Sequence, residues 1–247
     1  MTPPSSIRKK TVSERITADR VRAETSYSRR LAGVLIAVVI VCVLIGLYVG
    51  VYLPHAPGTA SAAASQTPAG VHLYLGTVAA SETTDAHPSW VSYYVTDSSD
   101  QHWRHATTFV VPANTLVHVT VYQFDGQSGM RNPFISQARG TVGSDFLLDG
   151  KPTQAIDPDA ASHVFAIPQI GLSVPLMGIA DDAKNPCDNA PCSLSQDHHT
   201  IDFTFRTPRR GLYRWQCFVP CGLGWLYGNG GPMSTLGYMG GFLDVVA

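Results

Sequence analysis

The chain has 247 residues, of which 45% are hydrophobic and 14% charged, with 22 glycines, 17 prolines and a formal net charge of −1. This hydrophobic content excludes disorder throughout the chain, and the low charged fraction with abundant Gly and Pro favours a turn-rich β protein or a membrane component. A transporter with many membrane spans is also excluded, because only one stretch is long enough to cross a bilayer.

Charge is divided unevenly along the chain. Residues 1–30 contain eight basic and three acidic residues, a net charge of +5, and the remainder contains nine basic and 15 acidic residues, a net charge of −6. An acidic domain is a poor binder of nucleic acid, whose phosphates require a basic surface. We therefore expect no nucleic-acid partner.

One uncharged stretch, residues 31–53, is predicted to be a transmembrane helix. As a helix it would extend roughly 35 Å, enough to cross a hydrocarbon core of about 30 Å. Arg29 and Arg30 lie directly before it, so the positive-inside rule places residues 1–30 in the cytoplasm as a basic tail and the rest of the chain outside. A cleaved signal peptide is the alternative, although its apolar segment is normally shorter.

Beyond the apolar stretch, the pattern changes to one typical of a β protein. Residues 54–70, rich in Ala, Ser, Pro and Gly, are predicted to be a flexible linker. Eight β-branched and aromatic runs then alternate with turn signals and predict strands at 71–79, 90–96, 106–111, 115–123, 162–167, 200–205, 212–219 and 241–246. We therefore predict an all-β extracytoplasmic domain over residues 71–247, an antiparallel sandwich or barrel, with residues 125–161 as a long insertion.

The five cysteines are of three kinds. Cys42 lies in the apolar stretch, where it is simply a small apolar residue. Cys187 and Cys192 bracket a polar loop in a compartment predicted to be oxidising, so we predict a local disulfide, with a surface metal clip as the alternative. Cys217 and Cys221 end a predicted strand and begin a glycine-rich loop. Two thiolates on such a loop can bind one soft metal ion such as copper, although their spacing also allows a second disulfide.

The sequence around these last two cysteines, GLYRWQCFVPCG, resembles the C-terminal hairpin of the cupredoxin domain of cytochrome c oxidase subunit II, where a Gly-x-Tyr strand leads to Cys-x-x-x-Cys. Upstream, SHVFAIPQIGLSVPL resembles the strand of that family that provides the first copper ligand, here His163. Subunit II ordinarily has two membrane helices, and this chain has one predicted span. The resemblance implies a cupredoxin-like Greek-key β-sandwich preceded by a single transmembrane α-helix.

The resemblance also implies a set of copper ligands. In that family, two bridging Cys, two His, a Met and a backbone carbonyl hold a dinuclear copper centre. Carried over by position, the thiolates are those of Cys217 and Cys221, the carbonyl is that of Val219, and the first His is His163.

The copper-ligand loop is altered at two positions. Trp225 stands where the family has its second His, and Gly228 stands where it has its Met. An unmodified dinuclear centre is therefore not expected. A mononuclear blue copper site is not expected either, because that site needs a His shortly after its Cys and the chain has no His after His199.

Two substitutes for the missing ligands are present. Met233 and Met239 lie further along the loop, and one of them could complete a single copper site with His163 and the two thiolates, a ligand set that suits Cu(I). Alternatively, His198 or His199 could provide the missing imidazole, although only one of them could do so because adjacent strand residues face opposite sides.

These patterns predict a protein anchored in the cell membrane that binds copper through His163, Cys217 and Cys221. It would serve electron transfer or copper handling for a respiratory oxidase complex or another redox partner. The alternative is a metal-free structural or partner-binding module with a Cys217–Cys221 disulfide. A Cys/His thiol hydrolase can also be drawn, but the sequence has no nucleotide-binding glycine fingerprint, serine elbow or HExxH motif, and we do not expect the chain to be an enzyme by itself.

Overall fold

The computed structural model describes residues 12–49, 61–67, 70–80, 89–98, 102–221, 231–233 and 235–247. The chain divides into two compact units, residues 1–54 and residues 55–247. Each unit is described by itself.

The described part of the first unit contains a long helix, α1 (Val12–Leu47). Within it, Arg29–Leu47 has a mean hydropathy of 2.8 and no side chain buried inside the protein, and by length and composition it could cross a membrane. The helix begins well before residue 31, where the transmembrane segment was predicted to start. Residues 12–30 contain no Gly or Pro that would interrupt a helix. The predicted end at residue 53 lies outside the described residues.

The second unit is built from short strands connected by turns and 3₁₀ segments. Its described strands are β1 (Ser61–Ala63), β2 (Ser65–Thr67), β3 (Gly70–Val78), β4 (Ser92–Val95), β5 (Thr108–Pro112), β6 (Leu116–Gln123), β7 (Phe146–Leu148), β8 (Lys151–Thr153), β9 (Ala161–Ile167), β10 (Leu172–Met177), β11 (His199–Arg206), β12 (Gly211–Gln216) and β13 (Gly240–Val246).

All eight predicted runs contain a strand, and five further strands were not predicted. Four of these five, namely β1, β2, β7 and β8, have only three residues each, too few to show an alternating pattern. Strands β1 and β2 lie inside residues 54–70, so part of the predicted flexible linker instead pairs with strands β5 and β3. Strands β7 and β8 likewise join the predicted insertion to a sheet, through pairing of β7 with β11.

The strands form two sheets. The first has the order β1-β5-β13-β12-β9-β10, and the second has the order β2-β3-β6-β11-β7-β8, with β4 also paired to β3. The predicted sandwich is not antiparallel throughout, because β1 with β5, β5 with β13, and β3 with β6 are parallel pairs. Parallel neighbours need a long connection, and the chain between β3 and β6 provides one by first forming β4 and β5.

Aromatic side chains from both sheets fill the space between them. The ring of Trp215 (β12) stacks on Phe109 with centroids 5.3 Å apart and meets the edge of Tyr93 (β4) at 4.8 Å. Phe165 (β9) contacts Phe203 (β11) across the sandwich, with centroids 5.8 Å apart. Large rings of this kind provide much of the apolar burial in a small core. They fix β9 and β12, the two strands that carry the site described below.

One glycine allows strand β13 to approach the segment before β5 closely. The carbonyl oxygen of Thr107 accepts hydrogen bonds from the Trp215 indole N–H and from the Phe242 backbone N–H, both at 2.9 Å. A Cβ atom added at Gly241 would overlap this same carbonyl oxygen. Gly241 is therefore needed for the close packing of β13 and for the position of Trp215.

We predict that Gly241→Ala destabilises the domain by about 1–3 kcal/mol, the usual cost of overpacking a core. The matched control is Gly240→Ala, because a Cβ at Gly240 would meet its nearest neighbours at 3.7 Å, an ordinary contact distance. Denaturant unfolding followed by tryptophan fluorescence measures both variants. Equal stability of the two variants would contradict this account of Gly241.

Candidate metal centre

The first element of the site is strand β9, in which all seven residues are buried. Side chains alternate along a strand, so His163 shares a face with Phe165, which packs in the aromatic core. The imidazole of His163 is only 2% exposed. A polar ring this deeply buried requires partners for its nitrogen atoms.

The second element is the segment that follows β12. Gln216 pairs with Ala166 of the antiparallel strand β9, so the next residues run alongside β9 toward His163. The backbone N–H of Cys217 donates to the carbonyl oxygen of Met239 at 2.9 Å, which extends the β12–β13 hairpin by one bond. The N–H of Cys221 donates to the carbonyl oxygen of Val219 at 2.6 Å. This tight turn returns the second cysteine toward the first.

The two elements bring three potential metal ligands together. The Sγ atom of Cys217 lies 3.9 Å from Nδ1 of His163, and the ligand atoms of His163, Cys217 and Cys221 all lie within 4.8 Å of one another. Both cysteines are free thiols. Within the part of the chain that the structure describes, this is the one group of three or more His, Cys, Asp or Glu side chains close enough to share an ion.

A fourth residue, Asp125, orients the imidazole. Nε2 of His163 lies 2.9 Å from Oδ2 of Asp125, and the other carboxylate oxygen accepts the backbone N–H of Gly126 at 2.7 Å. Because a carboxylate only accepts, Nε2 carries a proton and Nδ1 is the nitrogen that faces the thiols. A carboxylate on the distal nitrogen is a common partner of metal-binding histidines. Sequence reasoning missed this role, since Asp125 belongs to no motif and lies 38 residues before His163.

The charges of these groups are coupled. Burial alone lowers the pKa of His163, but its hydrogen bonds to Asp125 and Cys217 outweigh burial and raise the pKa to about 9. Burial alone raises the pKa of Cys217, but hydrogen bonds from Cys221 and His163 outweigh it and place this pKa well below its usual range. The hydrogen bond to Cys217, together with burial, raises the pKa of Cys221. These shifts favour a thiolate at Cys217 beside a protonated His163 and a neutral thiol at Cys221.

The methionines and the other loop residues named from the sequence are placed as follows. Met239 is fully buried and belongs to the same hydrophobic cluster as Cys217 and Cys221, and Met233 packs against that cluster. Their role as ligands stays a prediction. Trp225 and Gly228 lie outside the described residues.

The remaining histidines and cysteines named from the sequence make contacts of their own. His198 packs against Phe124, with ring centroids 5.2 Å apart, and Nδ1 of His199 lies 2.7 Å from Oδ2 of Asp149. Neither belongs to the group of three ligands above. The predicted disulfide between Cys187 and Cys192 is confirmed, with Cα atoms 5.8 Å apart, so these two sulfurs are not a metal clip.

Comparison with known proteins gives similarities of fold. No protein-family model matches the chain, and no curated protein matches it. The periplasmic domain of subunit II of cytochrome oxidase (CoxB) of Bradyrhizobium japonicum is 15% identical, with 70% of this chain and 83% of that chain covered and a TM-score of 0.27. Rusticyanin, described as a copper protein, is 17% identical, with 78% and 90% covered and a TM-score of 0.29.

A second rusticyanin structure, from Thiobacillus ferrooxidans, is 14% identical, with 78% of this chain and 89% of that chain covered and a TM-score of 0.27. These likenesses to solved copper-protein and oxidase-subunit structures are at low identity and low TM-score. The chemistry of the site rests on its own residues.

We predict that the metal-free protein shows the ultraviolet absorbance of one thiolate at neutral pH, because His163 stabilises the Cys217 anion. The absorbance should disappear on acidification, when the thiolate gains a proton. In His163→Ala, burial without the imidazolium keeps the thiol protonated, and the absorbance at neutral pH should be lost. His199→Ala, which changes a histidine outside the site, is the control. A His163→Ala spectrum identical to that of the unchanged protein would contradict the proposed charge pair.

Proposed function

We propose that the domain binds copper through Cys217, Cys221 and His163 and serves electron transfer or copper handling outside the membrane. The observation that supports this proposal is the convergence of three ligand atoms from strand β9 and from the segment after β12, which lie far apart in the sequence. The proposal is for one copper ion and not for an unmodified dinuclear centre, since Trp225 stands at the second His position.

The residues present fit copper in their chemistry and in their spacing. Thiolate sulfur is preferred by Cu(I), and imidazole nitrogen is accepted by both oxidation states of copper. Ligands bound to one ion at about 2.0–2.3 Å lie roughly 3.5 Å apart in a tetrahedral site. The 3.9 Å between Sγ of Cys217 and Nδ1 of His163 is close to this value. Little movement of either side chain would be needed.

Each residue would have a distinct task. His163 presents Nδ1 because Asp125 holds its other nitrogen, and Cys217 is already a thiolate in the metal-free protein. Cys221 and Nδ1 of the protonated His163 must both lose a proton on binding, so we expect proton release to accompany loading. The Val164 backbone N–H donates to Sγ of Cys217 at 3.5 Å, which orients this sulfur. A bound copper ion would supply one-electron chemistry between Cu(I) and Cu(II).

A fourth ligand is proposed from the sulfur atoms of the same loop. Met239 is anchored at its backbone, whose N–H donates to the carbonyl oxygen of Pro232 at 3.2 Å and whose carbonyl oxygen accepts from Cys217. These two hydrogen bonds hold the backbone of Met239 beside the backbone of Cys217. Thioether sulfur suits Cu(I), and we therefore propose Met239 as the first candidate and Met233 as the second.

The proposed location follows from α1. One apolar helix preceded by basic residues would anchor the chain in a cell membrane, with the N-terminus in the cytoplasm and the β domain outside. A membrane-bound respiratory oxidase complex would then be an appropriate redox or copper-accepting partner.

The alternative of a metal-free module depended on a Cys217–Cys221 disulfide, and the structure has both residues as free thiols.

We predict that full-length protein purified anaerobically retains about one copper per chain, as measured by metal analysis and by visible thiolate-to-copper absorption. His163→Ala or Cys217→Ser should weaken copper binding by more than about 100-fold, since outer partners of ligands alone contribute roughly 10- to 100-fold. Cys42→Ala, which removes the free thiol of the apolar helix, should retain the copper. A copper-free, colourless protein that also rejects added Cu(I) would refute the proposal.

We predict a smaller and different effect for Asp125→Asn. Copper should remain bound, with affinity about tenfold lower. The reduction potential should rise, because loss of the carboxylate makes His163 a weaker donor to Cu(II). Asp159→Asn is the matched control, since Asp159 is an exposed carboxylate 3.5 Å from Arg131. Redox titration followed by visible absorption measures both, and an unchanged potential in Asp125→Asn would show that Asp125 only supports the fold.

A further inference from the structure

Two histidines lie side by side on the outer face of the second sheet, away from the site described above. His72 (β3) pairs directly with His118 (β6) in the parallel register of these strands. Their chain neighbours Leu73 and Val119 are buried in the core, so alternation places both imidazoles on the opposite face. The ring centroids are 6.0 Å apart, and the rings are tilted by 32°.

A chain of hydrogen bonds fixes the tautomer of His72. The hydroxyl of Thr120 donates to Oδ1 of Asp202, and a hydroxyl has only one proton to donate. The same oxygen lies 3.0 Å from Nε2 of His72, so it must accept a proton from that nitrogen. The free lone pair of neutral His72 is therefore on Nδ1. A carboxylate acting through a hydroxyl in this way resembles the outer partners that orient metal-binding histidines.

His118 is held in a similar manner by one of its two nitrogens. Its Nδ1 lies 2.9 Å from the hydroxyl oxygen of Thr204, the residue that pairs with it on β11. Nε2 is the nitrogen left for a ligand, and it lies beside Gly70, where the absence of a side chain leaves space. Each of the two rings thus has one nitrogen fixed by a threonine and one nitrogen available.

The surroundings suit a cation. Both histidines line a cavity of about 390 Å³ together with the carboxylates of Asp145 and Asp202. Burial and the neighbouring His118 lower the pKa of His72, while Asp202 partly opposes this change. His72 is therefore neutral at physiological pH, the form in which imidazole binds a metal.

We propose that His72 and His118 form a second metal site, for a divalent transition ion such as Cu²⁺ or Zn²⁺, on the outer face of the β3–β6 pair. Imidazole nitrogen suits both ions. Two imidazoles bound to one ion at about 2.0–2.1 Å have ring centres roughly 5–6 Å apart, which matches the observed spacing. Water would complete the coordination, and the carboxylates of Asp145 and Asp202 would favour a cation by their charge. This site does not depend on the function proposed for His163 and the two thiolates.

The experiment uses the full-length protein in detergent with Cys217→Ser and Cys221→Ser, which remove the thiolate ligands. Cu²⁺ is titrated by calorimetry, and its coordination is followed by electron paramagnetic resonance. We expect one Cu²⁺ with nitrogen hyperfine structure. Adding His72→Ala and His118→Ala should weaken binding by at least about 100-fold, and Thr120→Val alone should weaken it by about tenfold because His72 is no longer oriented. Adding His102→Ala and His199→Ala instead should leave the affinity unchanged.

If the double cysteine variant does not fold, the same histidine changes are made in the otherwise unchanged protein. The unchanged protein should then bind a second equivalent of Cu²⁺ with nitrogen ligands. The variant with His72→Ala and His118→Ala should not bind this second equivalent. Unchanged binding after His72→Ala and His118→Ala, or a parent protein that takes up no Cu²⁺ outside the thiolate site, would overturn the proposal. Neither outcome bears on copper at Cys217 and Cys221, which is measured separately.

Discussion

The contact between the buried imidazole of His163 and the buried sulfur of Cys217 is the interaction on which the rest of the site depends. His163 and Cys217 are almost completely removed from water, and an unsatisfied buried polar group would cost about 1–3 kcal/mol. The fold meets this cost by placing Asp125 on one ring nitrogen and the sulfur near the other. Each group is stable in the core only because the others are there.

The packing of the sandwich positions the strands that bring His163 and Cys217 together. Strand β9 is buried along its whole length, and its partner β12 is fixed by the stacking of Trp215 on Phe109 and Phe165. The close approach of Gly241 to Thr107 lets β13 close the hairpin that carries Cys217. A rigid core of this kind would hold ligands in nearly the same positions in both oxidation states of a bound metal, which favours electron transfer.

His163 inside the core and His72 on the outer face of the second sheet are oriented in the same way. In both, one nitrogen of the ring is held by an oxygen atom of the protein, a carboxylate for His163 and a threonine hydroxyl for His72. This leaves a defined nitrogen for a ligand. The inner ring lies beside two cysteine sulfurs, which suit a soft ion, and the outer ring lies beside a second imidazole, which suits a divalent transition ion.

The sequence by itself determined the features that depend on local patterns. Alternation of side chains located eight of the nine described strands that are longer than three residues, and β10 was missed. Hydropathy located the apolar part of α1, and the spacing of Cys187 and Cys192 predicted their disulfide. The resemblance at two short motifs selected His163, Cys217 and Cys221 as one group. The tertiary structure decided what depends on partners distant in the chain: the parallel pairing of β3 with β6, the pairing of three-residue strands inside a predicted linker, and the contact of Asp125 with His163. The periodicity of a strand shows which face each side chain occupies, but not which distant residue lies opposite it. The contact of Asp125 with His163 could therefore not be predicted from the sequence, because it forms only when β6, β9 and β10 pack together.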